Sequence, residues 1–306
     1  TLAFISATAQ QPPIPAVMPF SGGQTELIAA DRIPDDFPTE HLVTPQQVIY
    51  ESSDGVTVHA QMFETEGGPA TKPAVIFVHG GPPRQMLLGW HYSSYYSNAY
   101  AVNQFLASRG FIVFSVNFRL GIGYGYDFHQ PPNSGARGAA EYLDVKAAAE
   151  YLRDLPGVDG SRIGIYGGSY GGFLTAMALA RNSDLFAAGV DVHGVHDWTA
   201  ERARGMMTRN RYEQAEDIEQ ALETAWDSSP VASMSTWTSP VLVIHADDDR
   251  NVRFNQSTDL VRRLVEGGIP HETLVIPEDT HHFMLFANVV RVYEATTEFL
   301  ERMLGR

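Results

Sequence analysis

Residues Arg162 to Gly172 run as an apolar strand straight into a serine set among glycines and out into a helix. No other stretch constrains the fold as much. Ile163, Ile165 and Tyr166 have the pattern of a short buried strand, and Phe173 to Ala180 is apolar on every face, as a central helix should be. Between them Gly167, Ser169 and Gly171 make a G-x-S-x-G turn. A serine held at the apex of a tight strand-to-helix turn needs neighbours without side chains, and its hydroxyl is then exposed for nucleophilic attack. With strand, turn and helix together, the reading is a nucleophile elbow rather than a plain glycine-rich turn.

The rest of the chain supplies a sheet for this elbow to sit on. Val48 to Tyr50 and Val56 to Met62 flank Asp54-Gly55 and read as a hairpin. Ala74 to Val78, Phe111 to Phe118, Ile163 to Tyr166, Ala188 to Val192, Val241 to Ile244 and Thr273 to Ile276 are short β-branched runs separated by helical segments. Helices are expected over 139–155, 256–266 and 288–304. This alternation predicts an α/β fold with a mostly parallel, doubly wound sheet covered by helices on both faces. Residues 46–306 form that domain, with a helical excursion over 198–227 that carries Trp198, Met206, Met207, Tyr212 and Trp226. Residues 1–45 differ: two strands, one near the start and one at Glu26 to Ala29, bracket a proline cluster and a Gly22-Gly23 turn, making a β-hairpin and linker.

Bulk properties exclude several function classes. A net charge of −15 with no basic block argues against nucleic acid and against anionic lipid. With no cysteine there is no thiol nucleophile, thiolate zinc site or disulfide framework. No apolar run approaches a membrane span, and no signal peptide is legible at Thr1 to Ala9, so a soluble, cytoplasmic protein is expected while the compartment itself stays open. Homo-oligomerisation is equally open.

A serine nucleophile needs a general base and a group that orients the base. Two loops at the carboxyl ends of strands offer them: Asp247-Asp248-Asp249 after Val241 to His245, and His281-His282 after Thr273 to Ile276. Residue chemistry alone leaves the three aspartates and the two histidines undecided. A metal site built from the histidines and aspartates is the less favoured reading, because adjacent histidines point differently; no metal and no cofactor is expected. The fourth component is an oxyanion hole, for which His79-Gly80-Gly81-Pro82 follows the strand Ile76 to Val78 and places backbone N–H groups beside that of Tyr170.

Five motifs in order, His79-Gly80-Gly81-Pro82, Asn117-Phe118-Arg119 with Gly121 to Gly125, Gly167 to Gly172, Asp249 to Val252 and Pro277 to His281, resemble the catalytic domain of prolyl oligopeptidase family serine peptidases. The resemblance is to the acylaminoacyl-peptidase and dipeptidyl-peptidase branch and covers about residues 46–306. It implies an α/β-hydrolase fold, selects Asp249 as acid and His281 as base for Ser169, and assigns the oxyanion N–H groups to Gly81 and Tyr170. Some relatives use a tyrosine hydroxyl in the place of His79. Leu120 stands where the family often has glycine, and Ala246 replaces a usual glycine. The family's N-terminal β-propeller is represented here only by residues 1–45, as a remnant. The expected substrate is a short peptide or an acylated peptide N-terminus, with Arg119, Trp198 and Asn251 as substrate-binding candidates; for Arg119 a structural ion pair is the competing reading. A carboxylesterase with the same triad and an inactive binding module of the same fold are the alternatives.

Overall fold

The computed structural model describes residues 1–201 and 217–305, so Met206, Met207 and Tyr212 lie outside the described residues. At the start of the chain, β1 (Leu2–Ser6), β2 (Ile14–Met18) and β3 (Glu26–Leu27) form an antiparallel sheet in that order. The sequence suggested two strands around a proline turn. A third strand arises because Pro15, within the proline cluster, keeps its carbonyl free to accept from Ile28 N–H at 2.8 Å, and the residues after it alternate as a strand. This sheet is tied to the main body: Trp90 N–H donates to Thr8 O at 3.0 Å and the Tyr100 hydroxyl to Ala9 O at 2.9 Å.

The main sheet contains β4 (Gln46–Glu51), β5 (Thr57–Phe63), β6 (Lys72–Val78), β7 (Ile112–Asn117), β8 (Val158–Gly168), β9 (Ala188–Val192), β10 (Val241–Ala246) and β11 (His271–Ile276). Their spatial order is β11-β10-β9-β8-β6-β7-β5-β4. From β11 to β7 every pairing is parallel, and β5 and β4 close one edge antiparallel. Helices connect them: α1 (Ser94–Ser108), α2 (Tyr126–His129), α3 (Tyr142–Asp154), α4 (Tyr170–Arg181), α5 (Ile218–Asp227), α6 (Asn255–Gly267) and α7 (Phe286–Leu304).

Strands of continuous apolar sequence are required here because both faces of the sheet are covered. On β6, Ala74, Ile76 and Val78 enter one core with Val145 of α3, Leu174 of α4 and Leu260 of α6, whereas Val75 and Phe77 enter the other with Leu106 of α1 and Phe299 of α7. The alternation of period two is intact; it simply has a core on either side. Of the excursion expected over 198–227, α5 is seen, with the Asp217 side chain accepting from Gln220 N–H at 2.9 Å as its N-cap. No helix among the described residues is long and apolar enough to cross a membrane.

Candidate active site

Ser169 stands between β8 and α4 with φ 60° and ψ −118°, a left-handed backbone that a non-glycine residue adopts only when its surroundings impose it. Two constraints hold it there. Its N–H donates to Val192 O at 2.9 Å, and its carbonyl accepts the first helical bond from Phe173 N–H at 3.0 Å. A Cβ on either Gly167 or Gly171 would run into the Val78 carbonyl oxygen, so the turn closes only with glycine at both positions.

The three aspartates separate by burial. Asp247 accepts from Glu278 N–H at 2.7 Å at an exposed position, and exposed Asp248 pairs with Arg250 at 3.2 Å. Asp249 is buried: its Oδ1 accepts from Asn251 N–H at 2.8 Å and Val252 N–H at 3.0 Å, and its Oδ2 accepts from His281 Nδ1 at 2.5 Å. Burial works to raise the Asp249 carboxyl, but the hydrogen bonds of His245 and His281 outweigh it and hold the group well below the usual carboxylate range. His282 contacts the ring of His281 edge-on and does not join Asp249.

His245, met in the sequence only as the end of a strand, is a second support. Its Nδ1 lies 2.6 Å from Ser257 Oγ, and its Nε2 lies 3.0 Å from Val252 O and 3.2 Å from Asp249 Oδ2. The carbonyl can only accept, so Nε2 carries the proton, Ser257 donates to Nδ1, and the Asp249 carboxylate receives a further donor. A histidine four residues before the acid is the sequence signal that points to it.

On the other side of Ser169, the loop after β6 approaches closely: a Cβ on Gly80 would fall 3.1 Å from Ser169 Cβ and 2.7 Å from Gly168 O. His79 does not enter the cavity. Its ring is buried against Phe118 with centroids 4.3 Å apart, and burial lowers its pKa to about 4. Tyr170 follows Ser169 at the start of α4, and its hydroxyl donates to Glu141 Oε1 at 2.6 Å. Ser169, Gly80, Gly81, His281 and Asn251 line one cavity of about 640 Å³.

The profile of the prolyl oligopeptidase family matches residues 97–306, from α1 to the end of the chain. The chain belongs to the prolyl oligopeptidase family. It is 27% identical over 271 residues to an uncharacterized peptidase of Bacillus subtilis, covering 87% of this chain and 39% of that protein. It is 30% identical over 244 residues to dipeptidyl aminopeptidase BIII of Pseudoxanthomonas mexicana, covering 77% and 34%. The structure of the Pyrococcus horikoshii acylaminoacyl peptidase superposes with a TM-score of 0.78 at 25% identity, covering 99% of this chain and 48% of that one. The chain thus spans between a third and a half of the length of these relatives. The α/β-hydrolase fold expected from the sequence is the fold of this family's catalytic domains, and it is the fold observed.

For Arg119, the geometry matches the structural ion pair that the sequence offered as the competing reading. It is buried, with side-chain hydrogen bonds to Asp144 (2.6 Å from Nη2), Asp54 (2.6 Å from Nη1) and Ser52 (3.1 Å), and it does not line the cavity. Its Nε and both Nη atoms bond Asp144, Asp54 or Ser52 and join α3 to the β4–β5 turn. Its neighbour Leu120 has φ 81°, so the glycine common at that place in the family matches a backbone that glycine adopts without strain. Trp198 lies with Phe173 (ring centroids 5.3 Å) and Tyr170 (6.1 Å), outside the 640 Å³ cavity; Asn251 lines it.

His193, at the end of β9, escaped the sequence reading. It is fully buried beside His281, and His193, Asp249 and His281 form the one group of three possible metal-ligand side chains whose donor atoms lie within 4.8 Å of one another among the described residues. The Asp249 oxygens in that group are already taken up by four N–H donors.

Proposed function

We propose that this chain is the catalytic domain of a serine peptidase acting through an acyl-enzyme. Ser169 Oγ attacks the peptide carbonyl carbon while its proton passes to His281 Nε2, and the N–H groups of Gly81 and Tyr170 hold the carbonyl oxygen as it becomes an oxyanion. Collapse breaks the C–N bond, His281 returns the proton to the departing amine, and water repeats the cycle on the ester. Asp249 fixes the tautomer that leaves Nε2 free to accept, and His245 and the N–H groups of Asn251 and Val252 keep Asp249 ionised.

The observation that carries the reading is the 2.5 Å contact of His281 Nδ1 with the buried Asp249, in a cavity that also holds Ser169 at its strained turn. The relatives are named as peptidases, which supports a peptide bond as the target.

We further propose that residues 1–45 belong to a larger β-structure that screens the site. Leu2, Phe4 and Ile5 of β1 are exposed, which is apolar surface a following or preceding sheet would cover. The test of the reaction is turnover of N-acyl aminoacyl p-nitroanilides against p-nitrophenyl esters. Anilide hydrolysis that disappears in Ser169→Ala supports it; hydrolysis of esters alone overturns it.

A further inference from the structure

The 640 Å³ cavity has two unlike walls. One is apolar, built from the residues after His281: Met284, Phe286, Val289 and Tyr293. The other carries the loop after β6, and there Arg84 is the one arginine or lysine among the described lining residues. Under the peptidase reading proposed above, the leaving amine takes its proton from His281, so it departs on the side where His281 and the residues following it stand. Tyr170 and Trp198 are not part of this lining.

Arg84 is rooted firmly. Its N–H donates to Pro82 O at 2.7 Å, and its carbonyl accepts from Ile122 N–H at 3.1 Å. Its stem lies against the oxyanion loop: a Cβ on Gly81 would be 2.8 Å from Arg84 Cγ. The guanidinium is exposed; it donates to the adjacent Pro83 O at 3.1 Å and to the Tyr96 hydroxyl, and no carboxylate among the described residues pairs with it. Its charge nevertheless reaches the cavity from this position, since it helps, after burial and the neighbouring His281, to lower His282, which lines it. In a chain of net charge −15, most cations are answered by a carboxylate, and one that stands open beside the nucleophile is an anion site in waiting.

The geometry points to a leaving-group subsite in which the Arg84 guanidinium binds the free C-terminal carboxylate of the departing peptide or amino acid, while its side chains lie on Met284, Phe286, Val289 and Tyr293. The substrates best matched are therefore short peptides cut close to their C-terminus. An arginine suits this better than a lysine, because its planar fork meets both carboxylate oxygens.

The experiment compares matched N-acetylated tripeptides, identical except for a free acid or a carboxamide at the C-terminus, with apolar residues in the last two positions. Wild-type protein is expected to cleave the acid with kcat/KM on the order of tenfold above the amide, the scale of one charge-assisted contact. In Arg84→Ala the ratio should fall to about one, in Arg84→Lys it should fall part-way, and raising salt should erode it in the wild type. Arg253→Ala, which removes an exposed cation outside this cavity, should keep the ratio, so that loss of overall positive charge is controlled. Labelling of Ser169 by a fluorophosphonate in each variant reports that the fold is kept. A wild type that cleaves acid and amide equally, or a preference that survives in Arg84→Ala, overturns the subsite while leaving the peptidase reading intact. Cleavage of neither peptide by protein that still labels at Ser169 overturns the peptidase reading, and the subsite with it.

Discussion

The imidazole of His193 lies beside that of His281 with ring centroids 4.1 Å apart and planes inclined by 32°. Burial, followed by the neighbouring His281, pushes His193 well below the usual histidine range, so it is a neutral ring at neutral pH. Its backbone is left-handed at φ 43°, its Nε2 is 3.2 Å from the Tyr95 hydroxyl, and its Nδ1 has no partner among the described residues. A strained, dry, neutral ring packed on the proposed base holds that base in place. His193→Ala, which leaves a hole beside His281, should lower kcat by roughly 10- to 100-fold with little change in KM, because a base displaced by an ångström loses its alignment. His193→Phe, which restores the ring, should recover most of it. A kcat in His193→Ala equal to wild type would remove the positioning role.

Asp249 and Asp248 are adjacent, yet only one is buried on the base. Asp249→Asn is expected to lower kcat by roughly 10³- to 10⁴-fold, since an amide N–H facing His281 Nδ1 selects the wrong tautomer. Asp248→Asn should stay within about twofold of wild type. Steady-state kinetics on one anilide substrate decides between them, and the reverse order would move the acid by one residue.

The buried partnership of Arg119 with Asp144 is structural. Removing one member leaves the other charge uncompensated in the core, and Arg119→Ala is expected to destabilise by about 3–5 kcal/mol. Urea unfolding measures this. The folded fraction should keep the wild-type KM; a raised KM at unchanged stability would return Arg119 to the substrate.

The neutral histidines make the fold sensitive to acid. His79 falls from 6.5 to about 4 in the folded chain, chiefly through burial. Between those two values the unfolded chain binds more protons than the folded one, so stability is full above about pH 6.5 and is lost as pH falls toward 4, at up to about 1.4 kcal/mol per pH unit for this group. Thermal unfolding across that window should show the decline, and His79→Phe should flatten it. An unchanged slope in His79→Phe would contradict the assignment.

The inner strands of the main sheet were legible as apolar β-branched runs, because burial on both faces leaves few polar positions to blur them, whereas the exposed edge pair β4 and β5 was legible through its Asp54-Gly55 turn. α1 was not legible. Its sequence places Asn103 and Gln104 inside, where Asn103 Oδ1 accepts from the Tyr166 hydroxyl at 2.7 Å and Gln104 Oε1 from Val43 N–H at 2.9 Å, so polar letters hide a buried face. β2 was hidden for a similar reason, since its proline read as a turn. In the site, the elbow was visible because strained backbone demands glycine, a local requirement. The choice among Asp247, Asp248 and Asp249 was not visible in residue chemistry: the three differ only in burial, and the family resemblance had to supply it. His193 and Arg84 could not have been found this way, because what distinguishes them is the company they keep across the fold.

The account depends most on Ser169 as the nucleophile. Intact-mass measurement after treatment with a fluorophosphonate, followed by tandem mass spectrometry of the digest, tests it directly. One adduct per chain, located on Ser169 and absent from Ser169→Ala, is the result predicted; an adduct on another residue, or one that persists in Ser169→Ala, would contradict it.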